Sequence, residues 1–226
     1  GLGTIQPSQA DYFQTVKGGG HGDYRLIALA PASVQEMADF VGLAFDLAFK
    51  YRNPAIILAD GVIGQMMEKV VLPEQRPRLT NEEVMARCPW ATFGKLKHRG
   101  PNIVTSLELD PAEMEKRNIH LQQKYAEIEE KEVRYEEIHC DDAEYLIVAF
   151  GSCARIAQKA MEEARAEGIK VGLLRPITLW PFPSKAIAER SRQVKGILTV
   201  ELNAGQMVED VRLAVECKVP VEYFGR

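Results

Sequence analysis

The chain has 226 residues, 46% of them hydrophobic and 27% charged, with a formal charge of −4 and only four cysteines. That length fits one large or two small globular domains, and interspersed charges without a basic face exclude a nucleic-acid partner. No apolar run approaches the ~20 residues that cross a bilayer, and the first residues do not form a charged-then-apolar leader, so a cytoplasmic location without membrane attachment is expected. Cys88, Cys140, Cys153 and Cys217 stand singly, without the C-x-x-C spacing of zinc or iron–sulfur sites. They read as free thiols, and no cluster is expected in this chain.

In chain order, residues 1–26 are polar and rich in glycine, with Thr4, Gln6, Ser8, Gln9, Asp11, His21 and Asp23 as hydrogen-bonding groups. A short helix is expected around Ala10 to Val16, with Gln9 and Asp11 bracing the loop or capping the helix. Residues 25–30 read as a strand. Ser33 and Glu36 make a capping-box pattern for a helix running to about Tyr51, whose broad apolar face carries Val34, Met37, Phe40, Val41, Leu43, Ala44, Leu47 and Ala48. Residues 55–60 form a near-continuous apolar strand suited to a parallel sheet. The order is β-α-β.

Residues 72–142 turn to proline, charge and irregular polarity and read as an extended linker. It contains one helix, from Pro111 to about Glu130, with Asp110 as N-cap. From 143 onward strands and amphipathic helices alternate: 145–150, a helix from Ser152 to Ala166, 170–174, a helix within 183–191, 197–202, a helix from Gln206 to Val215, and 221–225. This is a three-layer α/β block with a mainly parallel sheet. The strand-to-helix junctions at Gly151–Arg155 and Asn203–Gln206 offer N–H groups that either bind an anion or are simply capped by Ser152 and Asn203. Trp180 and Phe182, between prolines 176, 181 and 183, either anchor an interface or pack on their own domain.

The stretches GGGHGDYRL (18–26), APASVQEM (30–37) and YRNPAIILADGVIGQMME (51–68) resemble the alpha subunit of the 2-oxoacid:ferredoxin oxidoreductases, of 2-oxoisovalerate (3-methyl-2-oxobutanoate) type. The resemblance runs end to end. It implies a fragment: the C-terminal part of a thiamine diphosphate pyrimidine-binding domain (1–71), the linker (72–142) and a transketolase C-terminal-like domain (143–226). The implied reaction is oxidative decarboxylation of a 2-oxoacid with coenzyme A, giving acyl-CoA, carbon dioxide and reduced ferredoxin. Beta, gamma and ferredoxin-like subunits are the implied partners. Thiamine diphosphate and magnesium would be shared with a partner subunit, and iron–sulfur clusters would lie in partner subunits alone.

By the same resemblance Thr4 and Gln6 face the substrate carboxylate, although both residue types also close turns in glycine-rich loops. The family's Arg-Gly-Gly-Pro stretch and its pyrimidine-binding glutamate lie upstream of Gly1, and neither Glu36 nor Glu68 replaces that glutamate. His21 is either a catalytic base or cofactor contact, or a structural residue that shapes the loop, with Asp23 orienting it. No catalytic residue and no metal ligand is assigned. The rival readings are a 2-oxoacid dehydrogenase or transketolase-type subunit, and a non-catalytic assembly module.

Overall fold

The structure, a computed structural model, describes residues 6–92 and 100–225. Two compact units make up the chain: residues 1–72 together with 125–226, and residues 73–124.

The first unit begins with helix α1 (Tyr12–Val16), strand β1 (Ile27–Leu29), helix α2 (Val34–Tyr51), strand β2 (Ala55–Ile57) and helix α3 (Gly61–Gln65). Ser33 caps α2 as its sequence suggests, accepting from the Glu36 N–H at 3.1 Å. The Glu36 carboxylate does not close the box on Ser33; it accepts from the Ala32 N–H at 2.7 Å and turns toward an arginine. One face of α2 buries Phe40, Leu47 and Tyr51. Val41, expected on the buried face, is by contrast 48% exposed, and Phe45, outside that expected face, is exposed as well, so the helix is covered on one side among the described residues. A helix apolar on both sides buries each side only where a neighbour is present.

The same unit continues with strands β3 (Tyr135–Ile138) and β4 (Tyr145–Ala149), helix α6 (Gly151–Ala166), strands β5 (Val171–Pro176) and β6 (Thr178–Trp180), helix α7 (Ser184–Ser191), strand β7 (Gly196–Glu201), helix α8 (Met207–Val215) and strand β8 (Val221–Gly225). Five strands form one sheet in the order β3-β5-β4-β7-β8, parallel except for β3 at its edge. A smaller sheet, β2-β1-β6, joins the parallel pair β1–β2 to antiparallel β6. In the larger sheet β4 connects outward to β5 through α6, while β7 connects the other way to β8 through α8. Right-handed crossovers therefore set α6 and α8 on opposite faces, which gives the three-layer α/β arrangement.

The α6 face of the sheet packs Ile147, Ala149, Val171 and Leu173 against Cys153, Ala154, Ala157 and Met161. Alanines at 154 and 157 let the helix approach closely, and full burial of a side chain such as Met161 contributes about 1.5–3 kcal/mol. Trp180 is buried within its own unit and meets Tyr125 edge-on with ring centroids 5.7 Å apart. Packing, not an exposed anchor, is the role the fold gives that indole.

The second unit holds helix α4 (Asn81–Arg87) and most of helix α5 (Pro111–Lys131), whose last residues belong to the first unit. α4 is opened by a full capping box between Thr80 and Glu83 and buries none of its residues. Asp110 caps α5, accepting from the Ala112 and Glu113 N–H groups at 2.8 and 3.2 Å.

Candidate functional site

Of the residues singled out in the sequence, Gln6, His21 and Asp23 are exposed, and Thr4 lies outside the described residues. The glycine loop folds around Tyr24, whose phenol oxygen accepts from the Gly19 N–H at 2.6 Å. Gly18 and Gly22 sit at φ +87° and +107°, where a side chain would be strained. No hydrogen bond joins Asp23 to His21 among the described residues, so the loop's shape comes from Tyr24 and the glycines.

The polar loop enters the protein at Gln9, which is 5% exposed while residues 6–8 are open to solvent. Its entry point is the crevice between the C-terminal ends of β4 and β7. There the chain leaves neighbouring strands in opposite directions, the place where doubly wound sheets generally receive ligands. The Gln9 N–H donates to the Leu202 carbonyl at 2.8 Å, and its Oε1 accepts from the Leu202 N–H at 3.1 Å. Its Nε2 donates to the Phe150 carbonyl at 2.9 Å, and its own carbonyl accepts from Asn203 Nδ2 at 3.0 Å. α1 then docks on α8: Tyr12 donates to Asp210 at 2.6 Å, and the Phe13 N–H donates to Gln206 Oε1 at 2.8 Å. Burial, reinforced by Asp210 and Glu201, pushes the Tyr12 phenol well above its ordinary pKa.

Both strand-to-helix junctions are filled from within. Asp60, buried after β2, caps α3 through the Val62 and Ile63 N–H groups at 3.0 and 3.2 Å. Its second oxygen takes the Ser152 N–H at 3.2 Å and the Ser152 hydroxyl at 2.5 Å, at the start of α6. Glu201, buried at the end of β7, accepts from the Gln206, Met207 and Val208 N–H groups at 3.2, 2.8 and 3.0 Å. Carboxylates at helix N-termini satisfy the orphan donors and the dipole together, which leaves these junctions no need of an external anion. Asp60 and Glu201 were not singled out in the sequence. An acidic residue closing an apolar run was the available signal.

A cleft of about 420 Å³ is lined by Ser33, Glu36, Glu136, Arg155, Gln158 and Arg175, among others. Arg175 is buried on β5 and grips Glu36 with both terminal nitrogens at 2.8 and 2.7 Å, while its Nε donates to Glu136 at 2.9 Å. Arg155 bonds Glu68 at 2.7 Å, and Glu68 also accepts from the Val34 N–H at 2.9 Å. Burial pushes the Glu36 carboxyl up, but Arg175 and the Ala32 N–H outweigh it and hold the carboxyl below the usual range. The Val34 N–H and Arg155 lower Glu68 likewise. Both carboxylates are therefore committed ion-pair partners at neutral pH, unsuited to sharing a proton with a bound heterocycle.

Among the described residues no group of three or more His, Cys, Asp or Glu side chains is arranged to hold a metal. Burial pushes the Cys140 thiol up to about 11 and Cys153 to about 12, which keeps both protonated. Filled helix termini and ion-paired glutamates mean that the described residues do not by themselves fit a thiamine diphosphate site. No helix is long and apolar enough to cross a membrane among the described residues.

A family model for the thiamine diphosphate-binding region of pyruvate flavodoxin/ferredoxin oxidoreductases matches residues 3–138, and one for core domain II of pyruvate:ferredoxin oxidoreductase matches residues 143–226. The chain is 53% identical over 218 residues to the ketoisovalerate oxidoreductase subunit VorB of Methanothermobacter marburgensis, covering 96% of this chain and 60% of that one. It is 33% identical over 222 residues to the 2-oxoglutarate synthase subunit KorA of Archaeoglobus fulgidus, covering 97% and 62%. It thus spans about three fifths of the length of these relatives. The solved 2-oxoglutarate:ferredoxin oxidoreductase of Magnetococcus marinus shares the fold over 98% of this chain and 43% of that chain, with a TM-score of 0.73 at 22% identity.

Proposed function

Because the chain belongs to the pyruvate flavodoxin/ferredoxin oxidoreductase family, we propose that its parent protein is the alpha subunit of a 2-oxoacid:ferredoxin oxidoreductase of 2-oxoisovalerate type. The reaction is oxidative decarboxylation of the 2-oxoacid with coenzyme A, yielding acyl-CoA, carbon dioxide and reduced ferredoxin. The carrying observation is that the two family models tile the chain in order, together with 53% identity to a subunit named for ketoisovalerate.

Within that reading residues 1–71 complete a pyrimidine-binding domain, 72–142 connect it, and 143–226 form the following domain. Thr4 and Gln6 face the substrate carboxylate, with His21 and Asp23 on the adjoining loop. Thiamine diphosphate and magnesium are shared with a beta subunit, clusters reside in gamma and ferredoxin-like subunits, and the complex is cytoplasmic. No proton-transfer step is assigned to this chain, since among the described residues the buried carboxylates Asp60, Glu132 and Glu201 are all engaged.

The test is viologen reduction by the parent chain copurified with its partner subunits, given coenzyme A and 2-oxoisovalerate, pyruvate or 2-oxoglutarate. Coenzyme A-dependent reduction, fastest with 2-oxoisovalerate, is expected. Absence of reduction with all three 2-oxoacids overturns the reading.

A further inference from the structure

We infer that Gln9 is a positioning residue for the substrate-facing loop: its buried amide clamps the loop into the crevice between β4 and β7, and so sets substrate affinity. The inference rests on the reading of Gln6 as substrate-binding.

Four hydrogen bonds converge on this one residue, and they come from both walls of the crevice. Phe150 lies at the end of β4, while Leu202 and Asn203 follow β7. Leu202, the residue after β7, is held by one backbone and one side-chain hydrogen bond from Gln9. Upstream, residues 6–8 are exposed, so Gln9 is where the described loop gains purchase on the fold. Gly151 makes room for it. A Cβ at that glycine would lie 2.9 Å from Gln9 Nε2, and the residue's φ of +57° disfavours any side chain. The crevice that elsewhere receives ligands is spent here on holding a loop. Gln6 stands three residues before the clamp, so slack at Gln9 spreads its position. A bound carboxylate then pays more ordering entropy, which raises KM more than it lowers kcat.

The parent complex is tested with three variants. Gln9→Met keeps the shape and removes the amide. Gly151→Ala pushes the same amide out from the other side. Gln9→Glu keeps the acceptor for Leu202 but faces Phe150 with an oxygen until it is protonated. Hydrogen exchange of residues 6–12 is read beside steady-state kinetics. In Gln9→Met and Gly151→Ala exchange is expected to quicken about tenfold, with KM for every 2-oxoacid rising about tenfold and kcat changing less than threefold. Gln9→Glu recovers toward wild type as pH falls, when the buried carboxyl gains its proton and donates to Phe150. Unchanged exchange, or faster exchange with unchanged KM, overturns the inference. So does an equal loss of kcat and KM performance in Gln9→Glu at every pH. Should the wild-type complex oxidise no 2-oxoacid, the family reaction falls and Gln9's bearing on substrate with it, while exchange separately decides the clamp.

Discussion

Glu132 shows how a single carboxylate couples distant parts of the first unit. It is buried, and accepts from Lys50 at 2.7 Å, from the Tyr51 hydroxyl at 2.6 Å and from Arg134 at 2.9 Å. Burial pushes its carboxyl up, but those three hydrogen bonds outweigh it and hold the pKa at about 2. A carboxyl depressed on folding stabilises the fold above the unfolded pKa, about 4.3, and that stabilisation is lost as pH falls from there toward about 2. Glu132→Gln is expected to destabilise by roughly 1–3 kcal/mol at pH 7 and by less at pH 3. Urea melts at the two pH values check it; an equal penalty at both would mean that charge is not what Glu132 contributes. Thr4→Val in the parent complex belongs to the same scale. Losing a hydrogen bond to a carboxylate costs about 1.5–3 kcal/mol, so catalytic efficiency falls roughly ten- to a hundredfold with every 2-oxoacid alike. Steady-state comparison of three substrates reads this, and unchanged efficiency returns Thr4 to a turn role.

At the scale of elements, helix starts carry the inter-element connections. Asp60 closes four donors from two helices, so Asp60→Ala strands buried N–H groups and is expected to cost roughly 2–4 kcal/mol. Denaturant unfolding measures that, and a loss below ~1 kcal/mol would show that water replaces the carboxylate cheaply. The long helices and parallel strands were legible in sequence because their apolar periodicity is local. β3 was not, because Tyr135-Glu136-Glu137-Ile138 reads as polar. Its two glutamates are neutralised across the fold, Glu136 by Arg175 at 2.9 Å and Glu137 by Arg190 at 2.5 Å. β6 escaped notice as well, since three residues among prolines carry no period. α4 had its Thr80–Glu83 box in plain view, but its seven residues, five of them exposed and none buried, lacked an apolar stripe.

Over the whole molecule, the described residues of 73–110 bury little beyond Cys88, whereas 145–225 hold the central strands and the α6 core. Limited proteolysis is expected to cut first between Leu72 and Pro111, and earliest cuts within 145–225 would contradict the burial pattern. The 226-residue chain alone is also expected to bind thiamine diphosphate weakly, because the N-termini of α3, α6 and α8 already hold Asp60 and Glu201. Submicromolar affinity by calorimetry would refute that. The amino-acid sequence by itself determined the order of the long helices and the parallel strands, the α/β class and the family, all of which follow from short-range periodicity and contiguous motifs. Tertiary structure alone decided what the polar side chains do. Gln9 reaches Phe150 across 141 residues, Asp60 reaches Ser152 across 92, and Arg175 reaches Glu36 across 139. Whether such a side chain meets a ligand, a helix terminus or an opposite charge depends on which strands close together, and no local pattern encodes a partner that far along the chain.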